Sequence, residues 1–370
     1  RMIDFIEGDP EAVLVVEVTG EDEIELESKL DSLEKRMRNG RHGYAFRRLV
    51  AIEDQSKVWA VRKAGLGLMM NVKGNSKPLP FVEDTAVAPE VLPEYVRRFE
   101  QIIHDHDTTA GYYGHASVGC LHIRPLLNLK DRMDVDKMVS IASDISDLVL
   151  EFGGAMSGEH GDGLVRSVWN EKMFGTVIYD AFRQVKRAFD PQGIMNPGKI
   201  VDSPPMTENL RMGPEYKTVN VQGGFAYPGE GGYVGAIEAC NGQGACRKVI
   251  GGTMCPSYMV TRDEEHSTRG RANALRTVIS GALPVETLTS SRLHKVMDLC
   301  LECKGCKVEC PSNVDVAKLK YEFLNQYHKV NGYTMRDRIF GNIATLSKLG
   351  SFFAPVSNWT LQSQTIRDLL

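Results

Sequence analysis

Apolar side chains in the first 200 residues follow the helical period in several places. Between residues 22 and 38, apolar positions are spaced three or four apart on a charged background, which predicts an amphipathic helix. Four further helices are predicted, at 55–70, 93–106, 134–152 and 171–189. The last of these is expected to stop at Asp190-Pro191, because proline disfavours a helical conformation in the residue before it.

Short runs between these helices have the pattern of strands. β-Branched or extended segments are expected at 12–18, 47–52 and 81–87, and a hairpin is expected at 110–127. Strands mixed with amphipathic helices predict an α+β fold, most simply an antiparallel sheet covered by helices.

The pattern changes after residue 201. Prolines and glycines are frequent in residues 202–239, which predicts an irregular connector. Helices return at 267–279 and 314–328, and residues 336–370 are also predicted to be helical. These changes divide the chain into a sheet-and-helix domain (1–201), the connector (202–239), a cysteine-rich, mainly helical domain (240–330) and a helical C-terminal segment (331–370).

The charge balance narrows the choice of partners. Lys+Arg number 44 and Asp+Glu number 48, a net charge of -4, which argues against a nucleic-acid-binding protein. No apolar run reaches the ~18–20 residues that a membrane-spanning helix needs. We therefore expect a cytoplasmic protein, with peripheral contact at the inner face of the membrane as the alternative.

Seven of the eight cysteines lie between residues 240 and 310, and four of them form one spaced run. Cys300-x2-Cys303-x2-Cys306-x3-Cys310 followed by Pro311 matches the ligand run of bacterial-type ferredoxins, in which the fourth cysteine binds the other cluster. A zinc knuckle, which also uses CxxC, is the alternative interpretation.

If Cys310 binds a second cluster, that cluster needs further cysteine ligands. Cys240, Cys246 and Cys255-Pro256 form a second set of cysteines. The exchange rule assigns one [4Fe–4S] cluster to four cysteines: Cys255, Cys300, Cys303 and Cys306. It assigns the other cluster to Cys240, Cys246 and Cys310. Gln243 occupies the middle ligand position, so this second site is expected to hold [3Fe–4S], or [4Fe–4S] with one iron bound by another group. A cysteine from outside this chain is the alternative.

A second group of candidate ligands lies in the predicted hairpin. A two-residue turn at Val118-Gly119 would place His115 opposite His122, where two imidazoles can bind one divalent ion. Glu159, in the glycine-rich segment 157–163, can complete a two-His, one-carboxylate site, and His160 is then a candidate general base. Half-buried histidines and a solvated glycine-rich loop are the alternatives.

Two arginines are candidates for binding a carboxylate. Arg62 lies one helical turn after Trp59 and could bind a carboxylate through two nitrogens, although solvation at the surface is the alternative. Arg124 lies two residues after His122 and is therefore expected on the same face of the sheet.

These motifs together resemble the FAD-linked oxidase family, in the large bacterial members that fuse a flavin dehydrogenase to an iron–sulfur domain. The resemblance covers nearly the whole chain. It is carried by the His115 and His122 hairpin, Ser-Gly-Glu-His-Gly at 157–161, Asp190-Pro191, Asn-Pro-Gly-Lys at 196–199, Cys240 to Cys246, Met254-Cys255-Pro256-Ser257-Tyr258 and Arg269-Gly270-Arg271.

The resemblance implies oxidation of a D-2-hydroxy acid such as 2-hydroxyglutarate, lactate or glycolate. His115, His122 and Glu159 would hold a divalent metal, with zinc expected, and His160 would take the hydroxyl proton. Arg62 would bind the substrate carboxylate, and hydride would pass to FAD. Asn196 and Lys199 match the segment that leads toward the flavin domain. Electrons would leave through the two clusters to a quinone or a carrier protein.

The sequence departs from close 2-hydroxyglutarate enzymes inside the hairpin. Ser117-Val118-Gly119-Cys120 stands where Gly-Asp-Gly-Asn is usual, and Arg124 replaces an asparagine. The pocket is therefore expected either to suit a different acid or to bind the same acid through Arg124. The family's FAD-binding domain would precede residue 1 and a further cysteine-rich domain would follow Leu370, so the chain alone is expected to bind flavin poorly and not to turn over.

Two other functional classes remain open at this stage. One is an electron-transfer or docking module whose oxidase-like domain holds only a structural metal. The other is a purely structural zinc domain, which would need neither flavin nor iron.

Overall fold

The computed structural model describes residues 3–221 and 223–368. The chain forms two compact units, Arg1–Leu210 and Arg211–Leu370. The helices of the first unit are α1 (Glu23–Asn39), α2 (Ile52–Met70), α3 (Leu92–Asp105), α4 (Arg132–Glu151) and α5 (Asn170–Phe189). The five predicted helices are thus present, with ends shifted by a few residues. Single turns of 3-10 helix lie at Pro89–Val91, Ala116–Val118 and Ser167–Trp169.

The sheet of the first unit is small and antiparallel. Its strands are β1 (Lys77–Pro78), β2 (Thr85–Ala86), β3 (Ala110–His115) and β4 (Cys120–Leu127). The longest strand, β4, pairs with each of the other three, so it organises the sheet. The predicted α+β fold is confirmed.

The core of the first unit forms between the sheet and two helices. α3 buries Tyr95, Phe99 and Ile103, which are spaced four residues apart on one face. α4 presents a longer stripe of buried side chains, and β4 contributes Ile123 and Leu127 to the same cluster. This packing holds β4 in place, and β4 includes two of the candidate residues, His122 and Arg124.

Two predicted strands are wrong. Residues 12–18 and 47–52 are irregular, and α2 already begins at Ile52. The apolar side chains of the first run stay largely outside the core, with Val13 56% and Leu14 64% exposed. A strand requires a neighbour for its backbone groups, and these two segments pair with no other strand within the residues described.

The second unit is helical. Its helices are α6 (Gly232–Glu238), α7 (Pro256–Thr261), α8 (Thr268–Ile279), α9 (Ser291–Asp298), α10 (Gly305–Glu309) and α11 (Val316–Asn331). Short 3-10 turns lie at Ala245–Arg247, Glu264–His266 and Val285–Thr289. Ile237, Leu275, Met297 and Phe323 are fully buried at its centre. The cysteine loops lie between these helices, and α6 begins inside the predicted connector.

The chain continues through four further helices: α12 (Met335–Gly341), α13 (Ile343–Phe352), α14 (Ala354–Gln362) and α15 (Gln364–Arg367). The predicted helical segment 336–370 is therefore broken into pieces, and its residues 369–370 lie outside the described residues. Of these helices, α12 and α13 bury no side chain. Within the described residues, no helix combines the length and apolar character needed to cross a bilayer.

Candidate functional site

The β3–β4 hairpin carries both histidines, but with a different register from the predicted one. The structure pairs His115 with Cys120, and Tyr113 with His122, so the predicted direct His115–His122 pair is wrong. The loop is longer than two residues because a 3-10 turn at Ala116–Val118 precedes Gly119, whose φ is 66°. The shift is by an even number of residues, so both histidines stay on one face. Their ring centroids are 5.4 Å apart.

Glu159 lies where the imidazoles converge. Its Oε1 is 3.0 Å from His122 Nε2 and 3.5 Å from His115 Nε2. The same oxygen is 3.4 Å from His160 Nε2. Two imidazole nitrogens and one carboxylate oxygen form a donor set that suits Zn²⁺. The structure therefore brings His115, His122, Glu159 and His160 together.

His122 is the buried member of this group, with only 2% of its side chain exposed. Burial lowers the pKa of His122, and the neighbouring charge of His160 lowers it further. The ring of His160 stacks on that of His122, with centroids 4.7 Å apart and planes 11° apart. A neutral imidazole is the form that binds a metal ion, so this environment favours ligation by His122.

Asp84 supports the loop that carries Glu159 and was not predicted. Its fully buried carboxylate accepts hydrogen bonds from the backbone N–H of Glu159 at 3.1 Å, from the N–H of His160 at 2.8 Å and from Ser157 Oγ at 2.8 Å. Burial alone would raise the pKa of Asp84, but these donors outweigh burial and hold the pKa below its usual value. The possible ligand atoms of Asp84, His122, Glu159 and His160 all lie within 4.8 Å of one another. Because its oxygens are already occupied by donors, we interpret Asp84 as a support rather than as a ligand.

Glu83 lies between His160 and Arg124, and its role was not predicted from the sequence. Its Oε1 is 3.3 Å from His160 Nδ1, and its Oε2 is 2.5 Å from Arg124 Nη2. Glu83 and Arg124 are both buried. The backbone carbonyl of Glu83 accepts a hydrogen bond from buried Arg166 Nη1 at 2.9 Å. The only signal in the sequence was a pair of carboxylates inside an apolar extended run, which has no diagnostic spacing.

The two predicted arginines meet at one aromatic ring. Arg62 lies over Tyr113 with its guanidinium carbon 5.1 Å from the ring centroid, and the corresponding distance for Arg124 is 5.8 Å. Arg124 Nη2 also donates to Tyr113 Oη at 3.2 Å. Tyr113 in turn lies 4.8 Å from the His122 ring, centroid to centroid. Tyr113 thus links Arg62 and Arg124 to His122, and through it to the group formed by His115, His122, Glu159 and His160.

Asn196 and Lys199 lie in an exposed loop after α5. Asp190 holds the start of this loop by accepting from the backbone N–H of Ile194 and of Met195, both at 2.9 Å. Within the part of the chain described, no hydrogen bond or ion pair joins Asn196 or Lys199 to the histidine group. Their predicted role beside the flavin stays a prediction.

In the second unit, four cysteines line one cavity. They are Cys255, Cys300, Cys303 and Cys306. These are the four that the exchange rule grouped, although Cys255 is 45 positions before Cys300 in the chain. Burial raises the pKa of Cys306 to about 11, so a bound cation is needed to hold its thiolate form at neutral pH. A cavity with four sulfurs fits an iron–sulfur cluster.

The remaining three cysteines form a second group. Burial raises the pKa of Cys246, and the nearby charges of Cys240 and Cys310 raise it further. The backbone N–H of Arg269 donates to Cys246 Sγ at 3.3 Å. Gln243, at the missing ligand position, is exposed. The structure thus brings together the three cysteines that the sequence grouped.

Comparison with known proteins gives two family matches. The family model described as FAD linked oxidases, C-terminal domain, matches residues 2–200. The model of the 4Fe-4S dicluster domain matches residues 239–315.

Some curated relatives match most of the chain and others match a part of it. The D-2-hydroxyglutarate dehydrogenase of Escherichia coli is 30% identical over 96% of this chain and 39% of the relative, and the one from Pseudomonas putida is 30% identical over 92% and 37%. The D-lactate dehydrogenase of Archaeoglobus fulgidus is 33% identical over 40% of this chain and 31% of the relative. The chain therefore spans about two fifths of the length of the relatives that match it throughout.

Proposed function

Because this chain belongs to the family of FAD-linked oxidases and carries a 4Fe-4S dicluster domain, we propose that it forms the substrate-side and electron-transfer parts of a flavin-dependent D-2-hydroxy acid dehydrogenase. The observation that carries the proposal is the convergence of three imidazole Nε2 atoms on Glu159 Oε1. The activities for which the relatives are named favour 2-hydroxyglutarate as the substrate, with lactate as the other acid.

In this proposal His115, His122 and Glu159 hold a divalent metal, with zinc as the expected ion. When bound, the metal supplies a Lewis acid that acidifies the substrate hydroxyl, and FAD supplies the hydride acceptor. The substrate loses a proton from its hydroxyl and a hydride from C2, which leaves a 2-oxo acid.

We propose that His160 is the general base that accepts the proton of the substrate hydroxyl. Glu83 faces His160 Nδ1 at 3.3 Å, where its carboxylate can accept the Nδ1–H. A proton held on Nδ1 leaves Nε2 unprotonated on the side of Glu159, where it can accept a proton from the substrate hydroxyl. In this proposal Glu83 sets the tautomer of His160.

We propose that Arg62 binds the carboxylate of the substrate. No acidic side chain of the described residues pairs with Arg62, so its guanidinium can bind an anion through two nitrogens. The charge of Arg124 is already opposed by Glu83 at 2.5 Å. Arg124 then keeps Glu83 and Tyr113 in place. It contacts the substrate only if the part of the acid beyond C2 extends as far as Arg124.

We propose that electrons leave through the cluster at Cys255, Cys300, Cys303 and Cys306 and through a second cluster at Cys240, Cys246 and Cys310. The second cluster is proposed as [3Fe–4S], or [4Fe–4S] with a non-cysteine ligand. The electrostatic influence of Cys240 and Cys310 on Cys246 and the exposure of Gln243 support this. A quinone or a carrier protein is the proposed acceptor.

The test uses the full-length flavoprotein that contains this chain, purified without oxygen. D-2-hydroxyglutarate, D-lactate and glycolate are added separately while the visible flavin and iron–sulfur absorption is recorded. L-2-hydroxyglutarate and L-lactate serve as negative controls for the two chiral acids. One acid is expected to bleach both absorptions, and His160→Ala is expected to slow bleaching about 100-fold or more, the range for loss of a general base.

His106→Ala is the matched control, because His106 is a half-buried histidine that pairs with Asp144 at 2.8 Å and lies outside the site. It is expected to bleach as fast as the unmodified protein. If flavin, iron and metal are all present and none of the three acids bleaches the protein, the proposal is wrong and the docking-module alternative gains support.

A further inference from the structure

A fully buried arginine lies beside the four-cysteine cavity. Arg271, on α8, is 1% exposed and lines the same cavity as Cys255, Cys300, Cys303 and Cys306. Its Nη1 is 3.6 Å from Cys255 Sγ and donates to Ser257 Oγ at 3.1 Å and to the carbonyl of His266 at 2.7 Å. Its Nε donates to the carbonyl of Val296 at 3.0 Å. The guanidinium is therefore held rigidly against one of the cysteines.

The charge of Arg271 has no carboxylate partner among the residues described. Its polar contacts are two carbonyls, a hydroxyl and a sulfur, and its buried Nη2 has no hydrogen-bond partner in the described chain. A buried cation without a counter-charge is strongly destabilising. The structure thus provides a positive charge, and one free donor, at a cavity whose four sulfurs carry negative charge once they bind a cluster.

Two other cations near the cysteines are paired with carboxylates, and Lys304, which lines the same cavity, is exposed to solvent. Lys320 is close to Cys300 and donates to its carbonyl at 2.8 Å, but it pairs with Glu302 at 2.9 Å. Arg269, on α8 near Cys246, pairs with Glu264 at 2.8 Å. Arg271 therefore differs from both in that the sulfur group itself is left as its counter-charge.

We propose that Arg271 raises the reduction potential of the cluster bound by Cys255, Cys300, Cys303 and Cys306. With four thiolates a [4Fe–4S] cluster goes from a charge of 2− to 3− when it gains one electron. A fixed positive charge and a donor to sulfur both stabilise the more negative state, and charge and hydrogen bonds to sulfur are two of the factors that set such potentials. Arg271 acts as a positioning and tuning residue and is not itself reduced.

This inference rests on the proposed function only in that the four cysteines must hold a cluster. The full chain is reconstituted with iron and sulfide without oxygen and titrated with dithionite, and the reduced cluster is followed by electron paramagnetic resonance. The signal that disappears in Cys303→Ala, which removes the exposed cysteine of the cavity, identifies the four-cysteine cluster.

Arg271→Gln removes the charge, and Arg271→Lys keeps the charge but loses the planar set of donors. We expect Arg271→Gln to make reduction at least tenfold less favourable, a shift of about 59 mV to more negative potential for one electron. Arg271→Lys is expected to shift the potential in the same direction by less. Arg276→Gln is the matched control, since it removes a positive charge from the same helix at a residue that does not line the cavity, and it is expected to leave this potential unchanged.

Each result bears on the proposal. It is overturned if Arg271→Gln assembles the cluster with an unchanged potential, or if it loses the cluster while Arg271→Lys keeps it at an unchanged potential. Loss of iron in both variants also overturns it, because Arg271 would then serve assembly alone. A reconstituted unmodified chain without iron or signal would instead contradict the cluster assignment itself.

Discussion

At the scale of single residues, neighbouring carboxylates of the first unit serve different purposes because their surroundings differ. Glu159 is half-exposed and presents Oε1 to three imidazoles. Asp84 is fully buried and directs its oxygens to backbone N–H groups. The half-exposed carboxylate is available to a metal ion, whereas the buried one orders the loop that positions it.

Asp84→Asn should therefore weaken both the loop and the metal site. The amide keeps one acceptor but loses the charge, so we expect a loss of about 2 kcal/mol in the free energy of unfolding, the scale of hydrogen bonds to charged groups. Metal affinity is expected to fall about 10- to 100-fold, as for other residues that support ligands. Thermal unfolding and zinc titration against a competing chelator measure the two effects.

Ser157→Ala is the matched control for Asp84→Asn. It removes a single hydrogen bond to the same carboxylate, and we expect a smaller loss of about 1 kcal/mol with little change in zinc affinity. Unchanged zinc affinity in Asp84→Asn, with reduced stability, would show that Asp84 supports only the fold.

The sequence identified most of the proposed ligand residues but not their supports. His115, His122 and Glu159 stand in glycine-containing motifs of recognisable spacing. Glu83 and Asp84 follow an apolar run and make their contacts with residues far along the chain, such as Arg124 and His160. Only the three-dimensional fold brings such residues together, so no local pattern could indicate them.

At the scale of secondary-structure elements, the hairpin loop decides where the two histidines lie. Gly119 closes this loop with φ 66°, and a Cβ added there would lie 1.8 Å from the carbonyl oxygen of Val87. Both the backbone conformation and the close approach require glycine at this position. The loop thereby fixes the register of β3 on β4.

Gly119→Ala is expected to destabilise the first unit. A left-handed conformation for alanine costs about 1–2 kcal/mol, and the clash with Val87 adds about 1–3 kcal/mol. Gly74→Ala is the matched control, because Gly74 also has a positive φ, of 88°, but a Cβ there meets no atom within 4 Å. Chemical unfolding of both variants, with zinc content measured in parallel, separates the two effects, and equal losses would show that the clash with Val87 is absorbed without strain.

The elements also show where sequence patterns stop being informative. A helix such as α1 was predicted well because an amphipathic face and a cap such as Asp22 act within the segment itself. The runs at 12–18 and 47–52 have the composition of strands, but a strand depends on a partner elsewhere in the chain. The hairpin register failed for a similar reason, since the contact between Gly119 and Val87 that shapes the loop is not local.

At the scale of the whole molecule, each unit carries one kind of proposed donor set. The imidazoles and Glu159 belong to the first unit, and the cysteine ligands, from Cys240 to Cys310, belong to the second. A ligand that binds only the folded state stabilises it, and at a concentration 100 times its dissociation constant the gain is about 2.7 kcal/mol. Removing each ligand should therefore loosen the segments that hold it.

Hydrogen exchange followed by mass spectrometry can locate this loosening. When zinc is absent, peptides from 110–127 and 155–165 are expected to exchange up to about 100-fold faster, while peptides from 240–310 are unaffected. When iron is absent, the opposite pattern is expected. Glu159→Gln provides the zinc-free state without a chelator that could also extract iron, and peptides of α13, which carries no donor, serve as the internal control. Faster exchange in 240–310 upon loss of zinc alone would contradict the assignment of zinc to Glu159 and its histidines, because it would place a zinc ligand among the cysteines.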